Sequence, residues 1–351
     1  MNLNRMAVVG EDESGQIQLV IKKKYSSRRI DKYLVSRLQD FSRSHIQRLI
    51  KEEAVKVNNV AVKNSYEIKL KDVISIDLPT ESSDHITPEN IPLNVIYEDE
   101  YLMVLNKSPD TVVHPSRGHA SGTLVNALAF HCNNLSSFNG PLRPGIVHRL
   151  DRDTSGAILV VKDEKVHKHL ALQFENREIK KEYLAVVKGE TEFDSDRIDL
   201  PIGKDKRDRK KMAIRHDNGK NAVSIFEVLE RFPGFTLVKV FLETGRTHQI
   251  RVHMKTIGHP VIADSEYGNS EACYVEDLMK PVLNKAIHNL AKKTELCNNI
   301  TGPIIERQAL HAYKIGFIHP VTHKAMEFTA EIPEDMCNLI ITLRKIKTLL
   351  S

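Results

Sequence analysis

The chain has 351 residues, 41% of them apolar and 28% charged, with 51 basic against 46 acidic side chains and a net charge of +5. That composition fits a soluble globular protein of about two domains, with only a hint of a polyanionic partner. No apolar run approaches the ~18 residues that span a bilayer, and the N-terminal MNLNRMAVVGEDESG lacks the apolar stretch of a secretory signal. Cys132, Cys273, Cys297 and Cys337 are scattered without a CxxC, which argues against a disulfide framework or a zinc knuckle and fits a reducing cytoplasm.

Residues 1–17 read as a flexible polar leader, and residues 18–79 as a small module. Ile30, Leu34 and Leu38 recur at i, i+4, i+8, and Ile46, Leu49 and Ile50 form a second helical stripe behind Ser42, a good N-cap. Short strands follow, with Val55 and Val57 before a turn at Asn58-Asn59 and Val60 and Val62 after it. Positive charge gathers here. Residues 26–71 hold eleven Lys/Arg against five Asp/Glu, a net of +6. Ser44, Arg48 and Lys51 share one helical face, which suits phosphate binding through counterion release; the plain alternative is a solvated face.

Residues 80–96 read as an acidic, Pro-containing linker, and 97–345 as a longer mixed region. Runs rich in Val, Ile and aromatics predict strands at 101–105, 157–162, 182–188, 223–230 and 235–242. A helix is predicted over 164–177 behind Asp163, and another from Thr247 with Ile250, Met254 and Ile257 on one face, stopped by Gly258 and Pro260. Strands and helices do not alternate regularly, so an α+β fold is expected rather than a doubly wound sheet.

Two polar segments between strands could carry chemistry. The first, Gly145 to Gly156, reads as leaving a strand, passing Asp151 and Asp153, and ending at Thr-Ser-Gly. Either aspartate suits a nucleophile, a general base or a metal ligand, and both equally suit turn capping. No Gly-rich phosphate loop supports a metal site, and no metal is expected. The second segment, Glu243 to Arg251, places Arg246 at a Gly-permitted turn before a helix, where it could orient a carboxylate through a bidentate pair or form a surface ion pair. His248 and His253, five apart, do not share a ligand face, and the sixteen histidines read mostly as structural or polyanion-facing. No GxSxG elbow appears. Residues 204–211 (KDKRDRKK), with six basic and two acidic residues, read as a long charged loop between strands, either a phosphate-grasping arm, the favoured reading, or a disordered surface loop.

His148-Arg-Leu-Asp-Arg-Asp-Thr-Ser-Gly156 resembles the central motif of the RluA-type RNA pseudouridine synthases. Lys181-Glu-Tyr183-Leu-Ala185 and Thr244-Gly-Arg-Thr-His-Gln-Ile-Arg251 resemble their second and third motifs, flanked by Asn106-Lys107…Val113-His-Pro115 and Arg307-Gln308…Leu310-His311-Ala312. Residues 18–79 look like the S-four-like RNA-binding domain that precedes many of these enzymes. The resemblance covers roughly 18–340 and is closest to the RluD branch, through Tyr97-Glu-Asp-Glu100, Val112-Val-His-Pro115 and His319-Pro320…Met326-Glu327. It implies a mixed, largely antiparallel catalytic sheet of the pseudouridine synthase type behind a small α+β RNA-binding domain. The chain departs from the pattern where proline shifts by one in Asn106-Lys107-Ser108-Pro109, and at 270–302, which is longer than the branch pattern. Val275, Leu278, Met279 and Val282 predict a helix in that insertion, facing RNA or another protein.

The resemblance implies isomerisation of uridines in a hairpin of large-subunit (23S) ribosomal RNA, or in another rRNA site or a tRNA. The partner is then ribosomal RNA or a pre-ribosomal particle, with no membrane, no cofactor and a monomeric, cytoplasmic enzyme. Asp151 is the implied catalytic aspartate, either attacking the sugar or removing a sugar proton, with Arg246 paired to it. Tyr183 packs on the flipped base or acts as base at carbon 5. Arg149 fills the gap left by the extruded uridine, and Ile250 lines the uracil pocket. Arg28, Arg29, Lys32, Arg43, Arg48 and Lys51 are the expected RNA contacts of the module. A binding-only ribosome assembly factor and a uracil-releasing glycosylase are the competing readings; a glycosylase needs a second carboxylate to activate water, for which Asp153 is the nearby candidate.

Overall fold

A computed structural model of the chain describes residues 16–25, 27–38, 41–77, 86–115, 121–140, 143–283 and 302–349. Most of the expected leader, 1–15, lies outside these residues, as do 284–301 of the insertion.

Two sheets organise the described residues. The first has four antiparallel strands in the order β1-β4-β2-β3: β1 (Gln16–Val20), β2 (Val55–Val57), β3 (Val60–Ala61) and β4 (Val73–Asp77). Strand β1 begins two residues inside the stretch read as leader. Asn58 and Asn59 both adopt positive φ, 50° and 65°, so β2 and β3 are joined by a two-residue turn whose twist matches the strands. Helices α1 (Ile30–Arg37) and α2 (Arg43–Lys51) cover the sheet, and the Ser42 hydroxyl caps α2 by accepting the His45 N–H. Leu34, Ile46, Leu49, Ile74 and Ile76 are fully buried between them.

The second sheet has nine strands in the order β5-β6-β7-β14-β8-β13-β12-β9, with β15 paired to β14. Its central members are β6 (Leu102–Lys107), β7 (Ser155–Val161), β8 (Lys180–Lys188), β12 (Val223–Phe232), β13 (Phe235–Leu242) and β14 (Leu310–Ile318). The edges are β5 (Val95–Glu98), β9 (Ser195–Asp199) and β15 (Ala325–Thr329). Strand β5 takes the last two residues of the expected linker. All pairings are antiparallel except β7 with β14. The fold is α+β. A small hairpin, β10 (Ile202–Lys204) and β11 (Met212–Ile214), carries the basic loop 204–211 between its strands.

Both faces of the large sheet are covered. Successive residues of β6 and β7 alternate between two cores. Met103, Leu105, Ile158 and Val160 join one with α3 (Leu124–His131) and α7 (Glu334–Thr348). Leu102, Val104, Leu159 and Val161 join the other with α4 (Glu164–Glu175). Helix α6 (Val275–Leu283) forms where the insertion was predicted to be helical. Among the described residues, no helix is long and apolar enough to cross a membrane.

The segment 145–154 runs into β7 rather than out of a strand, so the first polar segment ends in the sheet instead of starting from it. The apolar run that follows, Ala157 to Val161, is the strand itself. At the entry to β7, Gly156 has φ +115°, and a Cβ there would run into the Ala312 carbonyl of β14. Gly156→Ala therefore pairs an unfavourable backbone with a clash against main chain, and should cost ~3 kcal/mol or more in a urea-unfolding midpoint measurement.

Candidate active site

The turn at 151–154 is closed by the Thr154 N–H donating to the Asp151 carbonyl at 3.1 Å. Side chains from distant parts of the sequence fix it from below. Lys107, 2% exposed at the end of β6, donates from Nζ to the carbonyls of Ser108 (2.7 Å), Thr111 (3.0 Å) and Arg152 (2.7 Å). Burial pulls its ammonium down to about 7, with Asp153 opposing and Arg307 assisting. Arg307 forks the Asp335 carboxylate at 2.7 and 2.8 Å and donates Nη1 to the Asp153 carbonyl at 2.9 Å. Gln308 Nε2 reaches the Thr154 hydroxyl at 3.2 Å, and His311 Nδ1 lies 2.9 Å from the Ser155 hydroxyl. The two flanking sequence patterns thus meet beneath one turn.

Above that turn, Asp151 faces α5 (Gln249–Thr256). Its Oδ2 is 3.5 Å from Arg251 Nη1, and its Oδ1 is 3.9 Å from His248 Nε2. Arg251, 4% exposed, uses Nε and Nη2 to fork the fully buried Asp264 at 2.7 and 2.8 Å. Burial opposes the Arg251 charge, but Asp264, Asp151 and Glu266 outweigh it and push its pKa up. The Arg251 guanidinium also lies 5.0 Å from the centre of the Tyr267 ring.

The pairing expected between Asp151 and Arg246 is not formed. Arg246 donates Nε to the Asn221 carbonyl at 2.9 Å, and no ion pair links it to Asp151. The reason is the start of α5. The helix begins at Gln249 rather than Thr247, after His248 in a left-handed conformation (φ 55°). Gln249 Oε1 accepts the Arg246 N–H and the Thr244 hydroxyl, while its Nε2 donates to the Val223 carbonyl and the Ser224 hydroxyl. Arg246 is thereby held outside the helix, and Arg251 in its first turn faces the aspartate.

Asp151 lies in a cavity of ≈ 500 Å³ lined also by Arg149, Tyr183, Arg246, Ile250 and Arg251. Tyr183, 9% exposed, stands on β8 opposite Val240 of β13 and Ala312 of β14. Burial, with the Asp151 charge adding, raises the pKa of its phenol. Ile250 is 4% exposed, and Arg149 is exposed. Lys181, also in the cavity, is lowered to about 8 by burial and then by Arg246. Asp153 is forked by its neighbour Arg152 at 2.8 and 3.1 Å and is not among the cavity residues.

The residues expected to bind RNA are arranged less uniformly. Arg29 forks both oxygens of the fully buried Asp31 and Arg43 donates twice to its Oδ2, so much of their charge neutralises an internal carboxylate. Burial alone would raise the Asp31 pKa, but Gln47, Arg29 and Arg43 bring it well below the usual range. Arg28 lies over the Tyr25 and Tyr33 rings at 5.1 and 5.5 Å. Arg48 is 3.7 Å from Glu52, while Lys32 and Lys51 are exposed.

Sequence reasoning missed Arg251, Asp264, Tyr267 and the place of His248, whose Nδ1 is 2.8 Å from the Tyr267 hydroxyl and 3.2 Å from Glu266. Arg251 and His248 stood in the segment singled out; nothing in the spacing signalled Asp264 or Tyr267.

Residues 101–256 match the family described as RNA pseudouridylate synthase, and residues 28–74 match the S4 domain. A Bacillus subtilis (strain 168) protein named as an uncharacterized RNA pseudouridine synthase is 44% identical over 94% of this chain and 99% of its own length. A Zymomonas mobilis protein named ribosomal large subunit pseudouridine synthase D is 39% identical over 88% of this chain and 91% of its own. The solved human RNA pseudouridylate synthase domain containing 4 shares the fold, with a TM-score of 0.50 and 20% identity over 72% of this chain and 93% of that one. The chain belongs to the RNA pseudouridine synthases. Its N-terminal module is an S4 domain.

Two measurements test the site. Arg251→Lys keeps a positive charge beside Asp264 but loses the fork that serves two carboxylates. Turnover of the folded enzyme should fall by roughly a hundredfold and the melting temperature should drop, because buried Asp264 loses its fork, whereas Arg246→Lys should cost less than about tenfold and leave the melting temperature in place. The second measurement concerns His148, whose Nε2 accepts the Leu159 N–H at 2.9 Å while its ring stacks on Phe174 at 4.9 Å. Burial, then Lys181, lowers its pKa to about 3. The unfolded chain takes up this proton near pH 6.5 and the folded chain does not, so the stabilisation is complete above 6.5 and is lost as pH falls towards 3. The His148 ring resonances in an NMR titration should keep their neutral positions down to pH 5.

Proposed function

We propose that the chain isomerises specific uridines of large-subunit ribosomal RNA to pseudouridine, on free rRNA or on an assembling particle. The observation that carries the reading is the Asp151 carboxylate 3.5 Å from Arg251, in a cavity that Tyr183 and Ile250 also line. The name of the Zymomonas mobilis relative supports the choice of RNA. The reaction breaks the N1–C1′ bond, turns the uracil in place and joins C5 to C1′, with the C5 proton lost and one taken up at N1. No atom is gained and no electron transferred, so the chemistry calls for no cofactor.

Asp151 acts at the sugar, by attack on C1′ or by removing a neighbouring proton, and Arg251 holds it in place. A raised phenol pKa keeps Tyr183 neutral at physiological pH and makes it a poor base, which favours packing against the flipped uracil. Ile250 lines the uracil pocket, and Arg149 takes the space the uridine leaves. Arg246 shares a groove with Lys204, Lys206, Arg209 and Lys220, which suits a role at phosphate rather than at Asp151. The S4 module supplies RNA affinity through Lys32, Arg48 and Lys51, with Arg28, Arg29 and Arg43 contributing the parts they expose. We take the enzyme as cytoplasmic and monomeric.

The test is a pseudouridine map of total RNA from cells with and without the gene, complemented by wild type or Asp151→Asn. Sites lost in the deletion and restored only by wild type are the expected result. An unchanged map overturns the reading. Free uracil in the products would mark a glycosylase, and loss of RNA affinity without any lost site would mark a binding protein.

A further inference from the structure

The S4 module meets the catalytic region along a short seam. The Ser42 N–H at the start of α2 donates to the Phe138 carbonyl at 3.2 Å. The His45 ring stands against Gly140, where an added Cβ would lie 3.7 Å from it. The Gly140 carbonyl in turn accepts the Arg143 N–H at 3.0 Å. One turn along α2 from His45 is Arg48, whose charge reaches Arg143 across the seam, and Arg143 and Arg149 both lie within electrostatic reach of His114.

These groups share two properties. First, they lack hydrogen-bond partners, and only Arg48 has a carboxylate, Glu52, within ion-pair distance. Among the described residues, His45 Nδ1, Arg48 Nε and His114 Nδ1 are buried without a hydrogen bond, and His114 is only 7% exposed. Such groups are uncommon and ask for a missing partner. The Arg143 and Arg149 side chains form neither an ion pair nor a hydrogen bond among the described residues, and Glu52, 3.7 Å from Arg48, is the one carboxylate paired with the group. Second, they crowd each other. Burial lowers the Arg143 pKa, and Arg149 and Arg48 lower it further. Burial brings His114 to about 4, with Arg143 and Arg149 adding to the effect. A cluster of like charges with unsatisfied donors is stable only at a cost that an anion would remove.

Arg149 also lines the catalytic cavity. The arginines therefore run from α2 of the S4 module, across the seam, to the mouth of the active site. We propose that this seam is a phosphate-binding cleft, in which Arg48, Arg143 and His114 hold one phosphate of the RNA backbone as it passes from the S4 module to the catalytic cavity. A neutral His114 donates from Nδ1–H to a phosphate oxygen, and the two guanidinium groups supply forked donors. Because the cleft takes groups from both parts of the chain, RNA that fills it also fixes one against the other. The proposal rests on the chain being an RNA-binding enzyme, and deepens that reading by naming where the backbone crosses.

The test uses the full chain and a 5′-fluorescein-labelled 20-nucleotide oligouridylate, with binding followed by anisotropy between 50 and 300 mM KCl. Arg143→Ala and Arg48→Gln should each weaken binding roughly tenfold at the lowest salt and reduce the salt slope by about one. The double variant should lose clearly less than the product of the two, because both side chains serve the same phosphate. Lys324→Ala, an exposed basic residue elsewhere, controls for general charge. Losses that multiply and match that control would overturn the cleft. Equal oligouridylate affinity in all variants, with inorganic phosphate at millimolar concentration stabilising wild type but not Arg143→Ala, would mean a site for free phosphate and would also overturn it. Thermal melting identifies any variant that fails to fold, and Arg143→Ala supports the comparison alone if Arg48→Gln does. The binding readout needs no turnover, so failure of the cleft and failure of the pseudouridine map are separate results.

Discussion

Lys107 and Arg307 lie 200 residues apart in sequence and direct their N–H groups at consecutive carbonyls, those of Arg152 and Asp153, beneath the turn that presents Asp151. A cation taken out of water costs several kcal/mol unless its donors are matched. Three carbonyls match Lys107, and Asp335 matches Arg307 while leaving one Nη free for the turn. The carbonyls carry no net charge, so the turn is fixed without adding another carboxylate to Asp264 and Glu266 around Arg251. The same contacts bind the turn to β6, to the start of β14 and, through Asp335, to the first turn of α7. The parallel pairing of β7 with β14, made possible by Gly156, brings those pieces into register.

The orientation of Arg251 follows from how completely Asp264 is occupied. Its two oxygens receive Nε and Nη2 of the arginine, and Oδ1 also accepts the N–H groups of Glu266 and Tyr267 at 3.0 Å each. With that fork fixed and the Tyr267 ring beside it, the guanidinium has one edge left, and that edge faces Asp151. A fixed donor near a carboxylate is worth more in a partly dry cavity than in water, because nothing has to reorganise when charge shifts. His248 adds a second polar contact at 3.9 Å from the other Asp151 oxygen. It reaches that position because of its left-handed backbone, a conformation uncommon for a residue with a side chain and informative at a site.

Much of this was legible in the sequence, for identifiable reasons. Helical periodicity marked α2 and α4, and runs rich in Val, Ile and aromatics marked the inner strands β6, β8, β12 and β13. Ser42 and Asp163 cap the helices they precede, as their chemistry suggests. Strand β14 was not anticipated: His311, Lys314 and Gly316 interrupt its apolar pattern, and its burial comes from neighbours distant in sequence. The choice between Arg246 and Arg251 failed for a related reason. Five residues separate them, and which one faces Asp151 depends on where α5 starts. That start depends on Gln249 reaching strand β12, a contact the local sequence does not reveal. Asp264 and Tyr267 were invisible because their roles exist only once the chain has folded back on α5.

Charge in the S4 module shows the same distinction between count and function. A net +6 over residues 26–71 reads as an RNA surface. Yet Arg29 and Arg43 are drawn inward by Asp31, and Arg28 and Arg37 lie against tyrosine rings. Counterion release depends on charges that remain free to meet phosphate, so the number that matters is smaller than the count. Among the described residues, Arg143 and Arg149, along the seam and at the cavity, have side chains in neither a hydrogen bond nor an ion pair. Arg149 precedes Asp151 by two residues, just before the turn that Lys107 and Arg307 hold. Backbone recognition at that end of the path and the placement of the carboxylate therefore depend on the same few hydrogen bonds.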